Sequence, residues 1–265
     1  MSEKRSGVVH DREGLGARIN AWRKRSILSP YFLDWRFLSR SVAALAPRAS
    51  GVLVDVGTSE GPYRGVFAPH VTRYVGLEYP PSILEKRPDL WEILERAKQS
   101  VDVFGDGNRL PFADGSVDTV LSTEVLEHLP EPRNCMREMA RILKPGGTLL
   151  LTVPFQQPLH ELPWDFYRFT PSALRELARD AGLEVEIIEP RGNFAAACGA
   201  LCTQFVLRTA GAKSRQSDGS VLPSGWRNTL LSPVYALIQG TALLLSKLSD
   251  DRAVALGYSM VARKR

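Results

Sequence analysis

Four short apolar runs in the first half of the chain each stop at an acid or a small polar residue, and this repetition narrows the fold more than any other feature. Val52-Leu53-Val54 ends in Asp55, and Tyr74-Val75-Gly76-Leu77 ends in Glu78. Val101-Asp102-Val103-Phe104 leads to Gly105-Asp106-Gly107-Asn108, and Val117 to Leu121 leads to Ser122-Thr123-Glu124. Runs so short and so apolar read as strands buried on both faces, as in a parallel sheet covered by helices. In an open α/β sheet, ligands bind along the carboxyl ends of the strands. The polar run ends therefore predict one shared binding rim.

The first run carries the sharpest turn. After Asp55 come Gly57 and Gly61, with Pro62 and Tyr63 behind them. Gly57 lets the backbone turn where a Cβ would clash, and Gly61 permits close approach of a ligand or of the next helix to the sheet. That helix presents unpaired N–H groups to the crevice. Glu78 follows Asp55 at about the separation expected of a ribose-binding acid in a βαβ unit. A carboxylate can accept both hydrogen bonds of a vicinal diol.

The motif Asp55-Val-Gly57-Thr-Ser-Glu-Gly61, then Glu78, then GDGNRLPFADGSVDTVLSTEVLEHLPEPRNCMREMARILKPGGTLLLTVP resembles the class I S-adenosylmethionine-dependent methyltransferases. The likeness runs from about Gly51 to Gly192, and the long block is far more specific than the glycine loop. It implies an α/β fold: a seven-stranded Rossmann-like sheet, mostly parallel, with the last strand antiparallel and helices on both faces. It also implies S-adenosyl-L-methionine as cofactor. By that resemblance Asp55, Gly57, Thr58, Ser59 and Gly61 form the cofactor loop, and Glu78 with Tyr79 holds the ribose. Asp106 takes the adenine amino group, with Gly107 and Asn108 against the ring and Leu110-Pro111-Phe112 as its wall. Thr123 and Glu124 sit beside the sulfonium and the methionine tail. The usual middle glycine of the loop is Ser59 here.

Four segments are expected: an N-terminal helical arm over 1–48, a cofactor-binding core over 49–192, a helical insertion over 193–252 and a final core strand over 253–265. A polar lead spans Met1 to Gly16. Ile19, Trp22 and Ile27, then Tyr31 to Leu45, have helical spacing, with Pro30 separating two helices. A helix is expected over Glu60–Pro69, and another at Leu90 to Ala97 behind Pro80-Pro81 and Pro88. A third starts at Val125, with Leu126, Leu129, Met136, Met139, Ile142 and Leu143 on its apolar face. Lys144-Pro145-Gly146-Gly147 reverses the chain, and Thr148 to Val153 is the fifth strand. Thr170-Pro171-Ser172 caps a helix over Leu174–Ala181, closed by Gly182. Leu183 to Ile188 is the sixth strand and Leu256 to Arg263 the seventh. Within the insertion, Ser214 to Ser224 is a polar loop. Leu230 to Leu248 is apolar but interrupted by Ser232, Pro233, Gln239 and Gly240. Its plainer reading is a helical pair packed on the domain, with peripheral lipid contact as the alternative.

Pro154 to Thr170 follows a strand end directly, so it overhangs the binding rim. It places His160, Glu161, Trp164, Asp165, Tyr167 and Arg168 close together, which suits a polar organic substrate against an apolar floor. Similar methyltransferases carry a related H-x-x-P-x-D-F/Y-x-R run. Trp164, Tyr167 and Arg168 are the candidate substrate residues; the plainer alternative is that Asp165 and Arg168 pair to brace the loop. Methyl transfer needs positioning above all, and an oxygen nucleophile gains from a base. His160, with Asp165 orienting it, is preferred as that base over His128, which opens a helix in the E-x-x-H-L run. Four scattered histidines offer no metal spacing, so no metal is expected.

The expected function is methyl transfer to oxygen or nitrogen of a small-molecule, sugar or lipid-linked acceptor. A relative of the fold that binds without transferring methyl is the alternative, favoured only by Ser59. A nucleic-acid enzyme is the lesser alternative, because no N/D-P-P-Y/F run follows the fourth strand and no RNA-binding module is evident. The basic residues are concentrated near the chain ends, but the plainer reading is a solvated face. The 44% hydrophobic and 24% charged composition argues against disorder. Cys135, Cys198 and Cys202 match no zinc spacing and cannot all pair, so buried thiols in a reducing compartment are expected. The opening MSEKRSGVVHDREG has no apolar h-region, so a cytoplasmic protein with no signal peptide is expected, with membrane contact at its periphery as the alternative.

Overall fold

The computed structural model describes residues 26–79 and 100–265. The expectations for the polar lead, for Ile19 and Trp22, and for the Pro80-Pro81 and Leu90 to Ala97 segment lie outside the described residues.

Strands β1 (Val52–Val56), β2 (Arg73–Glu78), β3 (Val103–Phe104), β4 (Val117–Thr123) and β5 (Leu143–Pro154) pair in parallel. Two further strands, β6 (Leu183–Arg191) and β9 (Gly257–Lys264), complete a seven-stranded sheet of order β3-β2-β1-β4-β5-β9-β6. β9 runs antiparallel to both its neighbours, as expected for the last strand. The reversal of strand order lies between β1 and β4, so their carboxyl ends frame the crevice where such sheets bind ligands.

Strand alternation explains why these runs read as continuously apolar. Val54, Val120, Leu149, Leu151 and Met260 face one side and pack with α3 (Pro132–Ile142) and α4 (Pro171–Asp180). Leu53, Leu121, Leu150 and Val261 face the other and pack with α1 (Phe32–Leu45) and with Phe67 of α2 (Arg64–Phe67). A sheet covered on both faces leaves no position for a polar alternate.

Several boundaries differ from expectation. The helix expected over Glu60–Pro69 shrinks to α2, because Gly61 holds a positive φ and the chain turns through Tyr63 first. The third strand keeps only Val103–Phe104. The helix expected from Val125 begins at Pro132; Leu126–His128 forms a separate 3-10 turn, and Pro132 occupies the first helical turn where its missing N–H costs nothing. Lys144 to Gly147 does not reverse the chain. It is an irregularity within β5, whose pairing with β4 skips from Val117/Leu143 to Thr119/Thr148.

The 193–252 segment contains α5 (Phe194–Val206), a π-helical turn, a hairpin of β7 (Ala212–Arg215) and β8 (Val221–Pro223), and α6 (Gly225–Leu248). The hairpin replaces the expected polar loop. A helical pair is present, but its members are α5 and α6, not two halves of 230–248. α6 runs unbroken through Pro233. Ser232 Oγ donates to Thr229 O at 2.8 Å, supplying the bond that Pro233 cannot give that carbonyl. Cys135 is buried as expected; Cys198 and Cys202 are exposed, because they fall on the outward side of α5.

Candidate active site

β1 delivers Asp55 into a closed environment. The Tyr74 hydroxyl of β2 donates to its Oδ2, and Oδ1 has no partner among the described residues. Burial pushes the Asp55 carboxyl up to about 6, against the opposing hydrogen bond from Tyr74. Burial, with the Asp55 charge beside it, also raises the Tyr74 phenol.

The turn after β1 is left-handed at Gly57 (φ 80°), Ser59 (φ 47°) and Gly61 (φ 66°). The amides of Gly57 and Thr58 donate to Leu77 O at 2.9 and 3.0 Å, joining the loop to the end of β2. A Cβ on Gly57 would stand 2.4 Å from Val125 Cγ2, so glycine is needed there for space as well as conformation. Ser59 holds its left-handed backbone at a cost of about 1–2 kcal/mol. In return its amide donates to Glu78 Oε2 at 2.8 Å, while the Tyr79 amide donates to Oε1 at 2.9 Å.

At the end of β3 the exposed Asp106 caps its own turn, its Oδ1 accepting from Asn108 N at 2.8 Å and Asn108 Nδ2 at 3.2 Å. Gly107 is buried, with Leu110 beyond it in the core. At the end of β4, Thr123 is buried and Glu124 has φ 54°. The Glu124 carboxylate turns toward the protein: Oε1 accepts from Thr152 Oγ1 and Oε2 from Arg191 Nη2, both at 2.9 Å.

Asp55, Glu78 and Asp106 thus end three adjacent strands. Along the same rim, Asp55 Oδ1, Thr58 Oγ1, Asn108 Oδ1 and Ser122 Oγ are buried without partners among the described residues. Buried polar atoms in native proteins are nearly always satisfied, so these atoms could bind a polar ligand. A nucleoside with hydroxyls and an amino-acid tail, as in S-adenosylmethionine, fits this donor and acceptor set.

A second group gathers beside the β4 end, where the 154–170 segment folds back. Glu127 is fully buried, and neither carboxylate oxygen has a hydrogen-bond partner among the described residues. Burial raises it well above the usual carboxylate range, and the Glu124 charge adds to this. His128 Nε2 lies 3.6 Å from Glu127 Oε1 and 3.9 Å from Glu161 Oε2. Its Nδ1 meets Trp164 O at 2.7 Å. The His128 and His160 rings meet edge to face, 5.0 Å apart. His160 Nδ1 faces Pro158 O at 3.1 Å and Asp165 Oδ2 at 3.5 Å. One ligand atom each from Glu127, His128 and His160 lie within 4.8 Å of one another. The expectation of no metal-capable cluster is therefore corrected: sequence spacing cannot show a histidine that a returning loop carries to the other two. This trio could hold a divalent cation.

Asp165 is enclosed by its own loop. Its side chain is 0% exposed and pairs with both Nη atoms of Arg168, at 2.5 and 2.9 Å. Burial opposes ionisation, but the Arg168 pair and the His160 amide hold the Asp165 carboxyl below its ordinary value. Arg168 also donates to the Gln157 and Pro158 carbonyls. Trp164 and Tyr167 are partly exposed, with the Tyr167 hydroxyl donating to Pro130 O at 3.1 Å.

Three residues escaped the sequence reading. Glu127 is adjacent to His128, and its single signal was an acid inside an otherwise apolar segment. Arg191, 5% exposed at the end of β6, reaches across the sheet to Glu124 and Val153 O. Asp34 of α1 is pushed up to about 6 by burial, with the Arg191 charge opposing and the Glu124 charge adding to the shift. No local pattern announces either of the last two.

Residues 54–151 match the "Methyltransferase domain" family. Uncharacterized methyltransferases of Mycobacterium leprae and Mycobacterium tuberculosis are 38% and 34% identical, over 40% of this chain in each case. The chain spans 38% and 40% of the length of these relatives. Among solved structures, a chain in complex with the Haloferax volcanii Trm112 methyltransferase activator superposes with a TM-score of 0.53 at 23% identity, covering 93% of this chain and 96% of that one. An S-adenosylmethionine-dependent methyltransferase of Mesorhizobium loti superposes with a TM-score of 0.51 at 15% identity, covering 88% of this chain and 100% of that one. At these identities the superpositions show a shared fold and nothing beyond it.

Proposed function

We propose, from the match of residues 54–151 to the "Methyltransferase domain" family, that this chain is an S-adenosylmethionine-dependent enzyme that methylates an oxygen or nitrogen of a small-molecule, sugar or lipid-linked acceptor. The cofactor, when bound along the rim of Asp55, Glu78 and Asp106, supplies an activated methyl group. The residues of the chain then do three things. The Gly57 to Gly61 turn and the Glu78 carboxylate hold the nucleoside end. The 154–170 segment, with Trp164 and Tyr167, covers the acceptor and excludes water. His128, with carboxylates on its Nε2 side and its Nδ1 against Trp164 O, accepts the acceptor's proton. In this reading Asp165 and Arg168 brace the covering segment.

The observation that carries the reading is the row of unpartnered buried polar atoms at the ends of β1, β3 and β4. Its test is calorimetric. S-adenosylmethionine is expected to bind in the micromolar range, and Asp55→Ala or Glu78→Ala is expected to abolish the heat while circular dichroism stays native. Absence of heat with folded wild-type chain would overturn it. A second reading, a binding protein that transfers no methyl, is favoured by Ser59, whose side chain stands in a left-handed turn where the family has glycine. Formation of S-adenosylhomocysteine with any acceptor extracted from cells would eliminate that reading.

A further inference from the structure

Helix α6 is inside out. On a helix with about 100° per residue, Trp226, Leu230, Val234, Leu237, Leu244 and Leu248 fall on one stripe along the full length of Gly225–Leu248. That stripe faces away from the protein: Trp226 is 69% exposed, Leu230 72%, Leu237 71% and Leu248 75%. The opposite side, which packs inward, carries the polar groups. Tyr235 is buried and donates to Asn228 Oδ1 at 2.7 Å. Gln239 is buried too, donating to Ile27 O and Ser29 O at 2.8 and 2.9 Å and accepting from the Leu33 amide at 3.2 Å. A helix at the surface of a protein surrounded by water shows the reverse arrangement. The neighbouring α5 repeats the pattern. It packs so closely on α6 that a Cβ on Gly199 would stand 2.3 Å from Ala242 Cβ, and it leaves Phe194, Leu201 and Phe205 exposed.

The charges say what covers this face. From Asn193 to Ser249 the basic residues are Arg208, Lys213, Arg215, Arg227 and Lys247, and the only acid is Asp218. Arg227 and Lys247 flank the stripe on its two sides, and the Arg227 guanidinium lies over the Trp226 ring, 5.3 Å from its centroid. Lysine and arginine beside an apolar stripe place their stems on the hydrocarbon and their heads among anionic headgroups. A second copy of the chain would bring these cations against like charges. Pro233 and the inward polar side, hydrogen-bonded to the protein, fit a helix lying on the membrane surface better than one crossing it.

We propose that α6, with α5 beside it, docks this protein in the plane of an anionic membrane surface. The inference does not depend on the methyl-transfer reading. It does bear on that reading's acceptor, because Gln239 ties α6 to the segment leading into α1, whose Asp34 stands by the site. A docked α6 therefore sets the site close to the headgroup layer, where a lipid-linked acceptor would be reached.

The test is co-sedimentation of the full chain with vesicles of phosphatidylcholine containing phosphatidylglycerol, against phosphatidylcholine alone. Binding to the anionic vesicles is expected, weakened at high salt and weak on the neutral ones. Leu230→Glu/Leu237→Glu is expected to reduce binding on the order of 100-fold, from the loss of two buried leucines, and to leave the melting temperature unchanged because both side chains are solvent-facing. Arg227→Glu/Lys247→Glu is expected to remove the preference for anionic lipid. No binding of the wild-type chain to either vesicle would overturn the proposal. So would a dimer in sedimentation equilibrium that Leu237→Glu dissociates without any vesicle binding. S-adenosylmethionine calorimetry on the Leu230→Glu/Leu237→Glu variant separates this proposal from the functional one, since cofactor affinity is expected to be unchanged.

Discussion

Asp55 is kept at the end of β1 at a cost that pH reveals. Its folded pKa stands at about 6, raised from 3.8 by burial. The folded chain holds this proton between about pH 4 and 6, where the unfolded chain has released it. Stability linked to Asp55 is therefore fully present below about pH 4 and lost as pH rises through 6, a change of about 3 kcal/mol at 1.36 kcal/mol per pKa unit. Asp102, Asp118, Glu138 and Glu186, held below their ordinary values by arginine, lysine and amide partners, act in the opposite sense in the more acidic range. The difference between wild type and Asp55→Asn isolates the Asp55 contribution. Calorimetric melting from pH 4 to 8 is expected to show the variant gaining on wild type through that window; parallel profiles would contradict the assignment. At this scale the sequence was informative about which acids end the strands and uninformative about their surroundings. Tyr74 donates to Asp55 from a neighbouring strand, and nothing in its local run marks it for that role.

Among the elements, β6 and β4 are tied by one ion pair that crosses β9 and β5. Arg191 Nη2 donates to Glu124 Oε2 and to Val153 O, at 2.9 and 3.0 Å. A Cβ on Gly257 would stand 2.1 Å from that guanidinium nitrogen, so a glycine in β9 makes the passage. Arg191→Met leaves the Glu124 carboxylate without its cation, and breaking a buried pair from one side costs about 3–5 kcal/mol. For a chain of this size each kcal/mol shifts the melting temperature by roughly 2–4 °C, so a fall of about 6–20 °C is expected. The double variant Arg191→Met/Glu124→Gln is expected to recover part of that loss. The strands and α4 with its Thr170 cap were legible because period and punctuation agree there, whereas the antiparallel last strand was implied by the family resemblance alone. The start of α3 and the continuity of α6 were not, since one depended on where two prolines fell and the other on a serine covering for Pro233.

For the whole molecule, the rim holds polar atoms that are buried without partners among the described residues. A ligand that binds only the folded state stabilises it by RT ln(1 + [L]/Kd), about 2.7 kcal/mol at a hundredfold excess over Kd. S-adenosylmethionine at that excess is expected to raise the melting temperature by roughly 5–10 °C, given the size scaling above. Asp55→Ala is expected to show no such rise. A melting temperature indifferent to the cofactor in wild type would count against cofactor binding at the rim.

The order of apolar runs and their acidic ends was enough to establish an α/β sheet with acids gathered at one edge, because strand burial and the glycine turn are local properties written within a few residues. The meeting of Glu127 and His128 with His160, the crossing of Arg191 to Glu124, and the outward turn of the apolar side of α6 came only from tertiary packing. Each depends on which surface a segment presents to a distant neighbour. A periodic pattern gives a helix two sides without saying which one the protein keeps for itself.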